Sequence, residues 1–193
     1  MDEEIARRIR RGDEKAFDAF FDRFGGPLLG YLTGMVGNRA SAEDLLQETV
    51  IRIHRNIDRY KERGAFRSWV YRIATNGALS ELRRARFAAE SLDGSALQVP
   101  DPGAANPLDL LEAEERERAL RKGMETLPDD HRAVLLLRVR EGMPVAEIAR
   151  TLRIPLGTVK SRMHYGVRKL RAYLEEEDRP AAGVPDGVNE DEL

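Results

Sequence analysis

Between Asp13 and about Arg86, apolar residues recur at helical spacing. The segments are separated by Gly25-Gly26-Pro27, Gly37-Asn38 and Arg63-Gly64, which are turn punctuation, and strand-like alternation is missing. In residues 41–60, Leu46, Val50, Ile53 and Ile57 share an arc of about 60° on a helical projection and are expected to face a core. Ser41 is the expected N-cap, with Glu43 and Asp44 in a first turn whose dipole favours them. Ile51 lies off that stripe, among Asp44, Gln47, Glu48 and Arg55. An isoleucine ringed by acid and amide groups suits a docking surface, although isolated exposed isoleucines are common on any protein. Residues 88–107 then collect Gly94, Pro100, Pro102, Gly103 and Pro107 with little periodicity, and helical pattern resumes near Leu108 and runs to about Leu174.

The expectation is therefore an all-α chain of two small helical domains joined by a flexible linker, the C-terminal one a helix-turn-helix. The boundaries fall at 1–87, 88–110 and 111–174, with a polar, disordered tail at 175–193.

The most specific pattern is residues 145–174. Val145, Ile148, Ala149 and Leu152 form one face of a short helix, Arg153-Ile154-Pro155 breaks it, and a second helix begins near Leu156. Val159, Met163, Val167, Leu170 and Leu174 fall within about 80° and are expected to pack inward. Thr158, Ser161, Arg162, Tyr165, Arg168 and Lys169 occupy the opposite arc, with His164 at its edge. From Leu156 to Leu174 there are five Lys/Arg and no acid. Such a layout suits a recognition helix in a major groove, where Arg and Lys donate to guanine or hold phosphates and hydroxyls serve either. Upstream, Leu127-Pro128-Asp129-Asp130 reads as a helix start with an acidic cap. The run Val134 to Leu137 exceeds one buried stripe, so it is either a fully buried central helix or a surface that docks another protein.

Residues 59–87 mix eight Arg/Lys and two Asp/Glu with Tyr60, Phe66, Trp69, Tyr71 and Phe87. Duplex phosphates require only the cations, whereas unpaired bases gain about 1–3 kcal/mol each from stacking on aromatic rings, so the mixture favours melted nucleic acid. Trp69 and Ile73, four apart, suit the core; Phe66, Arg67, Arg72, Asn76, Ser80 and Arg83 are the candidates for an accessible face.

Charge sharpens this division. The net charge of −2 over 193 residues is distributed as 17 Lys/Arg against 13 Asp/Glu in 1–87, 2 against 8 in 88–118, 12 against 5 in 119–174 and 1 against 8 in 175–193. Two basic blocks separated by an acidic linker suggest two nucleic-acid contacts made by separate modules. With no cysteine and three scattered histidines, neither disulfides nor a thiolate or histidine metal cluster is expected, nor any cofactor. No secretory signal or membrane-length apolar run is visible, and a cytoplasmic location is expected. Clustered carboxylates for metals and a glycine-rich phosphate loop are also missing, so an enzyme is not expected.

In order and spacing, DLLQET at 44–49, GAFRSWVYRIATN at 64–76, LPDDHRAVLLLR at 127–138 and GTVKSRMHYGVRKLR at 157–171 resemble the extracytoplasmic-function (ECF) sigma factors of bacterial RNA polymerase. The resemblance covers roughly residues 10–174. It implies a protein that binds core RNA polymerase, recognises minus-35 and minus-10 promoter elements, promotes melting, and is restrained by an anti-sigma factor. By position it implies polymerase contacts from Asp44, Gln47, Glu48, Ile51 and Arg52. Phe66, Arg67, Arg72, Asn76, Ser80 and Arg83 would contact the minus-10 element, and Thr158, Lys160, Ser161, Arg162, His164, Tyr165 and Arg168 the minus-35 duplex. Tyr165 stands where arginine is frequent in the family, so the promoter sequence does not follow from relatives. An autonomous helix-turn-helix regulator would explain residues 127–174 equally well but leaves DLLQET and the aromatic-basic block unexplained.

Overall fold

The structure is a computed structural model that describes residues 1–61, 64–91 and 109–177. Residues 92–108 of the expected linker and 178–193 of the expected tail lie outside the described residues. Among the described residues there is no strand.

The N-terminal module is built from α1 (Asp2–Arg10), α2 (Ala16–Phe20), α3 (Gly26–Val36), α4 (Arg39–Asn56) and α5 (Phe66–Ser91). A π-helical turn at Phe21–Gly25 carries α2 into α3, and a 3-10 turn at Ile57–Arg59 ends α4. Asn38, and not Ser41, caps α4: its backbone is extended and its side chain accepts the Ser41 N–H at 2.8 Å. The helix therefore starts at Arg39, two residues before the serine. Ala42, Leu45, Thr49, Ile53 and Ile57 are buried, while Leu46 and Val50 are half-buried against the core. The inward stripe is thus centred one position away from the apolar pattern, because Thr49 can join the core by donating its hydroxyl to the Leu45 carbonyl at 2.7 Å.

α5 starts on a cap from the far end of the module. The Glu3 carboxylate accepts the Phe66 N–H at 3.0 Å and the Tyr60 hydroxyl at 2.5 Å. Phe66 itself is 1% exposed, with edge contacts to Phe24 and Tyr60 and stacked on Trp69. It is core, not part of an accessible face. Four aromatic rings meeting at one helix start bury more apolar area there than an exposed Phe66 would allow. The helix continues through residues 88–91, within the stretch whose composition suggested linker.

The C-terminal module comprises α6 (Asp109–Glu125), α7 (Asp129–Val139), α8 (Val145–Leu152) and α9 (Leu156–Glu177). Arg153, in the left-handed region at φ 55°, ends α8, and Ile154 donates to the Ala149 carbonyl at 3.1 Å. Val159 and Gly166 are buried on α9 and Met163, Leu170 and Tyr173 half-buried, whereas Val167 is 46% exposed. The expected inward Val167 is displaced by Gly166, where a Cβ would stand only 2.8 Å from a Leu135 methyl. A glycine notch carries no hydrophobic signal, so the apolar pattern pointed to its neighbour.

Arg132 through Leu137 of α7 are all buried, which resolves the excess apolarity of that run. Leu135 fills the notch at Gly166 of α9, and Leu136 fills another at Gly34 of α3, where a Cβ would meet it at 2.9 Å. α7 therefore serves both modules, which share a continuous core. Arg132, 6% exposed, ties the junction. It donates to the carbonyls of Met35 (2.6 Å), Met124 (2.9 Å), Glu125 (2.9 Å) and Leu127 (3.2 Å), so one guanidinium satisfies the C-terminal ends of α3 and α6.

Replacing Arg132 by methionine leaves those carbonyls without a donor. It is expected to cost about 3 kcal/mol, read as a lower urea midpoint with an unchanged slope. Gly77 in α5 behaves oppositely: an added Cβ would meet Arg52 at 3.6 Å and Leu45 at 3.7 Å, which is ordinary contact. Gly77→Ala should raise stability by about 1 kcal/mol in the same assay.

Candidate nucleic-acid interface

Helix α9 turns its basic face outward. Lys160, Ser161, His164, Tyr165 and Arg168 are exposed, and Thr158 and Arg162 half-buried. Several of these side chains are held in place. Arg162 pairs with Asp130 at the start of α7 at 2.9 Å, Tyr165 leans on the His131 ring at 4.8 Å, and the Arg168 guanidinium lies 5.9 Å from the Tyr165 ring centre. Ser161 donates to the Thr158 carbonyl at 3.0 Å. Lys169 instead donates to the Thr126 carbonyl at 2.6 Å and so braces α9 against the end of α6. The face combines two fixed planes, Tyr165 and the Arg162 guanidinium, with the longer cations Lys160 and Arg168. Such a set can read base edges and hold phosphates in one groove.

His131 lies beneath this face. Burial pushes its pKa below the ordinary value, and the Arg162 charge pushes the same way; Asp130 opposes them and Lys169 adds to them. Protonation at this position sets a third cation beside Arg162 and Lys169.

Along α5, Arg72, Asn76, Ser80 and Arg83 follow one another at helical spacing on one stripe, Asn76 and Arg83 exposed and Arg72 and Ser80 half-buried. Burial lowers the Arg72 pKa, and the nearby charge of Arg153 adds to that effect. Arg67 is placed differently. Its guanidinium donates to the Glu141 carbonyl at 2.5 Å and lies 3.5 Å from the Glu141 carboxylate, while Tyr71 donates its hydroxyl to that carboxylate. Ser68 donates to Glu147 at 3.2 Å. The front of α5 is thus joined to the turn and helix that follow α7. Glu141 and Glu147 carried no signal in the sequence, since a turn acid and a helix-start acid are both ordinary.

The third surface is on α4. Asp44, Gln47, Glu48, Ile51 and Arg55 are exposed, Ile51 to 48%, and Arg52 is half-buried and paired with Glu48 at 2.6 Å. The apolar patch and its acidic rim are therefore both accessible. Among the described residues, no group of His, Cys, Asp and Glu could hold a metal ion, and no helix is long and apolar enough to cross a membrane.

Residues 20–88 match the family model for sigma-70 region 2, and residues 123–172 the model for sigma-70 region 4. The ECF RNA polymerase sigma factor SigW of Bacillus subtilis is 31% identical over 175 residues, 87% of this chain and 94% of SigW. Solved structures also share the fold, and two of them cover most of the chain. CnrH, in complex with the cytosolic domain of CnrY, superposes with a TM-score of 0.70 at 20% identity, covering 92% of this chain and 99% of CnrH. The sigma factor RpoE of Bartonella quintana, in complex with the anti-sigma factor NepR, superposes with a TM-score of 0.68 at 22% identity, covering 86% and 99%.

The depressed His131 pKa has a testable sign. As pH falls through the ordinary histidine value of about 6.5, the unfolded chain takes up the proton before the folded one, so stability is lost on acidification. Chemical denaturation between about pH 7.5 and pH 5.5 should show that loss, and His131→Gln should flatten it.

Proposed function

The chain belongs to the ECF RNA polymerase sigma factors, which bind RNA polymerase and recognise promoters, and we propose that it divides that work among three surfaces. Asp44, Gln47, Glu48, Ile51 and Arg52 of α4 dock the polymerase: an apolar centre with a charged rim is the composition of a protein interface, and Ile51 is exposed in it. Lys160, Ser161, Arg162, His164, Tyr165 and Arg168 of α9, with Thr158 at its start, read the minus-35 duplex. Arg67, Arg72, Asn76, Ser80 and Arg83 of α5 take the minus-10 element as it melts. Phe66, deep in the core, contributes by anchoring the start of α5.

The observation that carries this reading is the outward basic face of α9 in a helix-turn-helix within the region 4 match, on the same chain as an exposed apolar-acidic patch within the region 2 match. Melting in this scheme captures unstacked non-template bases, and stacking and backbone contacts offset an unstacking cost of a few kcal/mol. No catalytic step is assigned to the chain; bond formation belongs to the polymerase. The site of action is the cytoplasm. The NepR complex of the related RpoE supports an anti-sigma factor as a further partner.

Run-off transcription with bacterial core polymerase on a pooled promoter library should yield discrete transcripts only when the protein is added. Ile51→Glu should abolish core association and those transcripts while leaving the thermal midpoint within a few degrees. Specific duplex binding by the chain alone, with no association with core polymerase, would overturn the reading in favour of an autonomous regulator.

A further inference from the structure

The first turn of α7 reaches the outer face of α9 through two neighbouring residues. Asp130 holds the Arg162 guanidinium at 2.9 Å, and the His131 ring meets the Tyr165 ring with centroids 4.8 Å apart and planes at 58°. Neither Asp130 nor His131 is a DNA candidate by pattern, because α7 reads as a packing helix.

The ring contact follows from how α7 and α9 approach each other. His131 lies four residues before Leu135 and so on the same side of α7. Leu135 is seated in the notch at Gly166, where a Cβ would stand 2.8 Å from its methyl. That close approach carries Tyr165, the neighbour of Gly166, against His131. The prop is itself held. The His131 N–H donates to the Pro128 carbonyl at 2.9 Å, and the next residue, Arg132, is tied through its guanidinium to four carbonyls. The His131 Nδ1 is buried without a hydrogen-bond partner, so the imidazole serves here by its plane and not through that atom.

Tyr165 remains 38% exposed, with the Arg168 guanidinium 5.9 Å from its ring centre. A tyrosine has two rotatable side-chain bonds, so a single contact on its ring removes most of its freedom. Long cations such as Lys160 and Arg168 can hold phosphates from many side-chain positions, whereas discrimination between bases requires a group kept at one place in the groove. We propose that His131 is a positioning residue for minus-35 recognition: it fixes the Tyr165 ring, and through it the base preference where that ring meets the duplex. This rests on reading α9 as the minus-35 helix. A ring edge can contact a thymine methyl and a phenol hydroxyl can hydrogen-bond to a base edge, so the contact that His131 controls is one to bases.

The test uses holoenzyme assembled from bacterial core polymerase and the full chain, on a promoter recovered in the run-off screen and randomised across its minus-35 element. Sequencing the bound fraction gives the preference at each position, and Tyr165→Ala identifies the positions that depend on the ring. His131→Ala should weaken the preference at those positions about fivefold, the effect of releasing one ordered side chain, and leave the other positions and the affinity for random duplex unchanged. His131→Phe, which keeps a ring in place, should restore the preference. A role in stability alone would lower binding to every sequence alike. The positioning role is overturned if His131→Ala keeps the preference at the Tyr165 positions, flattens all positions equally, or is not rescued by His131→Phe. The assignment of α9 fails separately, and the positioning role with it, if Tyr165→Ala alters no position of the minus-35 element.

Discussion

The structure depends on one helix being buried on two sides. Successive residues of α7 point about 100° apart, so Leu135 and Leu136 pack against different helices, one at a glycine of α9 and the other at a glycine of α3. Methyl groups seated in backbone notches pack at the density of a protein interior, and such contacts do not slide. Six consecutive buried residues, Arg132 to Leu137, follow from this placement. A charge buried at that junction needs acceptors for its donors, and Arg132 finds four carbonyls, at or just beyond the ends of two other helices.

Given that junction, the electrostatics fall into place. The acids at the start of α7 take cations from both sides, Asp130 from α9 and Asp129 from Arg86 of α5. The acid at its other end, Glu141, takes Arg67. A chain that is basic in both folded modules can pack them together because acids of the C-terminal module lie at the contact. Among the cations left pointing outward are Lys160 and Arg168 of α9 and Arg83 of α5. The Arg162–Asp130 pair, half open to solvent, adds little stability, while Arg86–Asp129 and Arg67–Glu141, whose acids are largely buried, set which face of α5 the C-terminal module covers.

Local pattern located most of the helices, the break at Arg153–Pro155, and the outward positions of Ile51, Asp44, Gln47 and Glu48, because amphipathic periodicity reports which side of a helix meets an apolar surface. Among the features it misplaced, three have reasons that can be named. Val167 was expected inside because Gly166, the residue that makes the close approach, has no side chain to weigh. Ser41 was expected as the cap, but it lies inside the helix and Asn38 accepts its N–H. Phe66 was expected on a nucleic-acid face because aromatic residues among cations look alike whether they stack on bases or on one another; here they stack on one another.

What the sequence determined by itself is the all-helical composition of the chain, its order of modules, the helix-turn-helix and the basic face of α9, since each is written in spacings of three, four and seven residues. What only the tertiary structure decided is that the modules share a core, that Arg132 closes two helix ends at once, and that Arg67 and Tyr71 meet Glu141 some 70 residues away. Contacts at that separation depend on the shapes of two finished surfaces, on notches where a side chain is missing and on carbonyls left over at helix ends. No local periodicity records either.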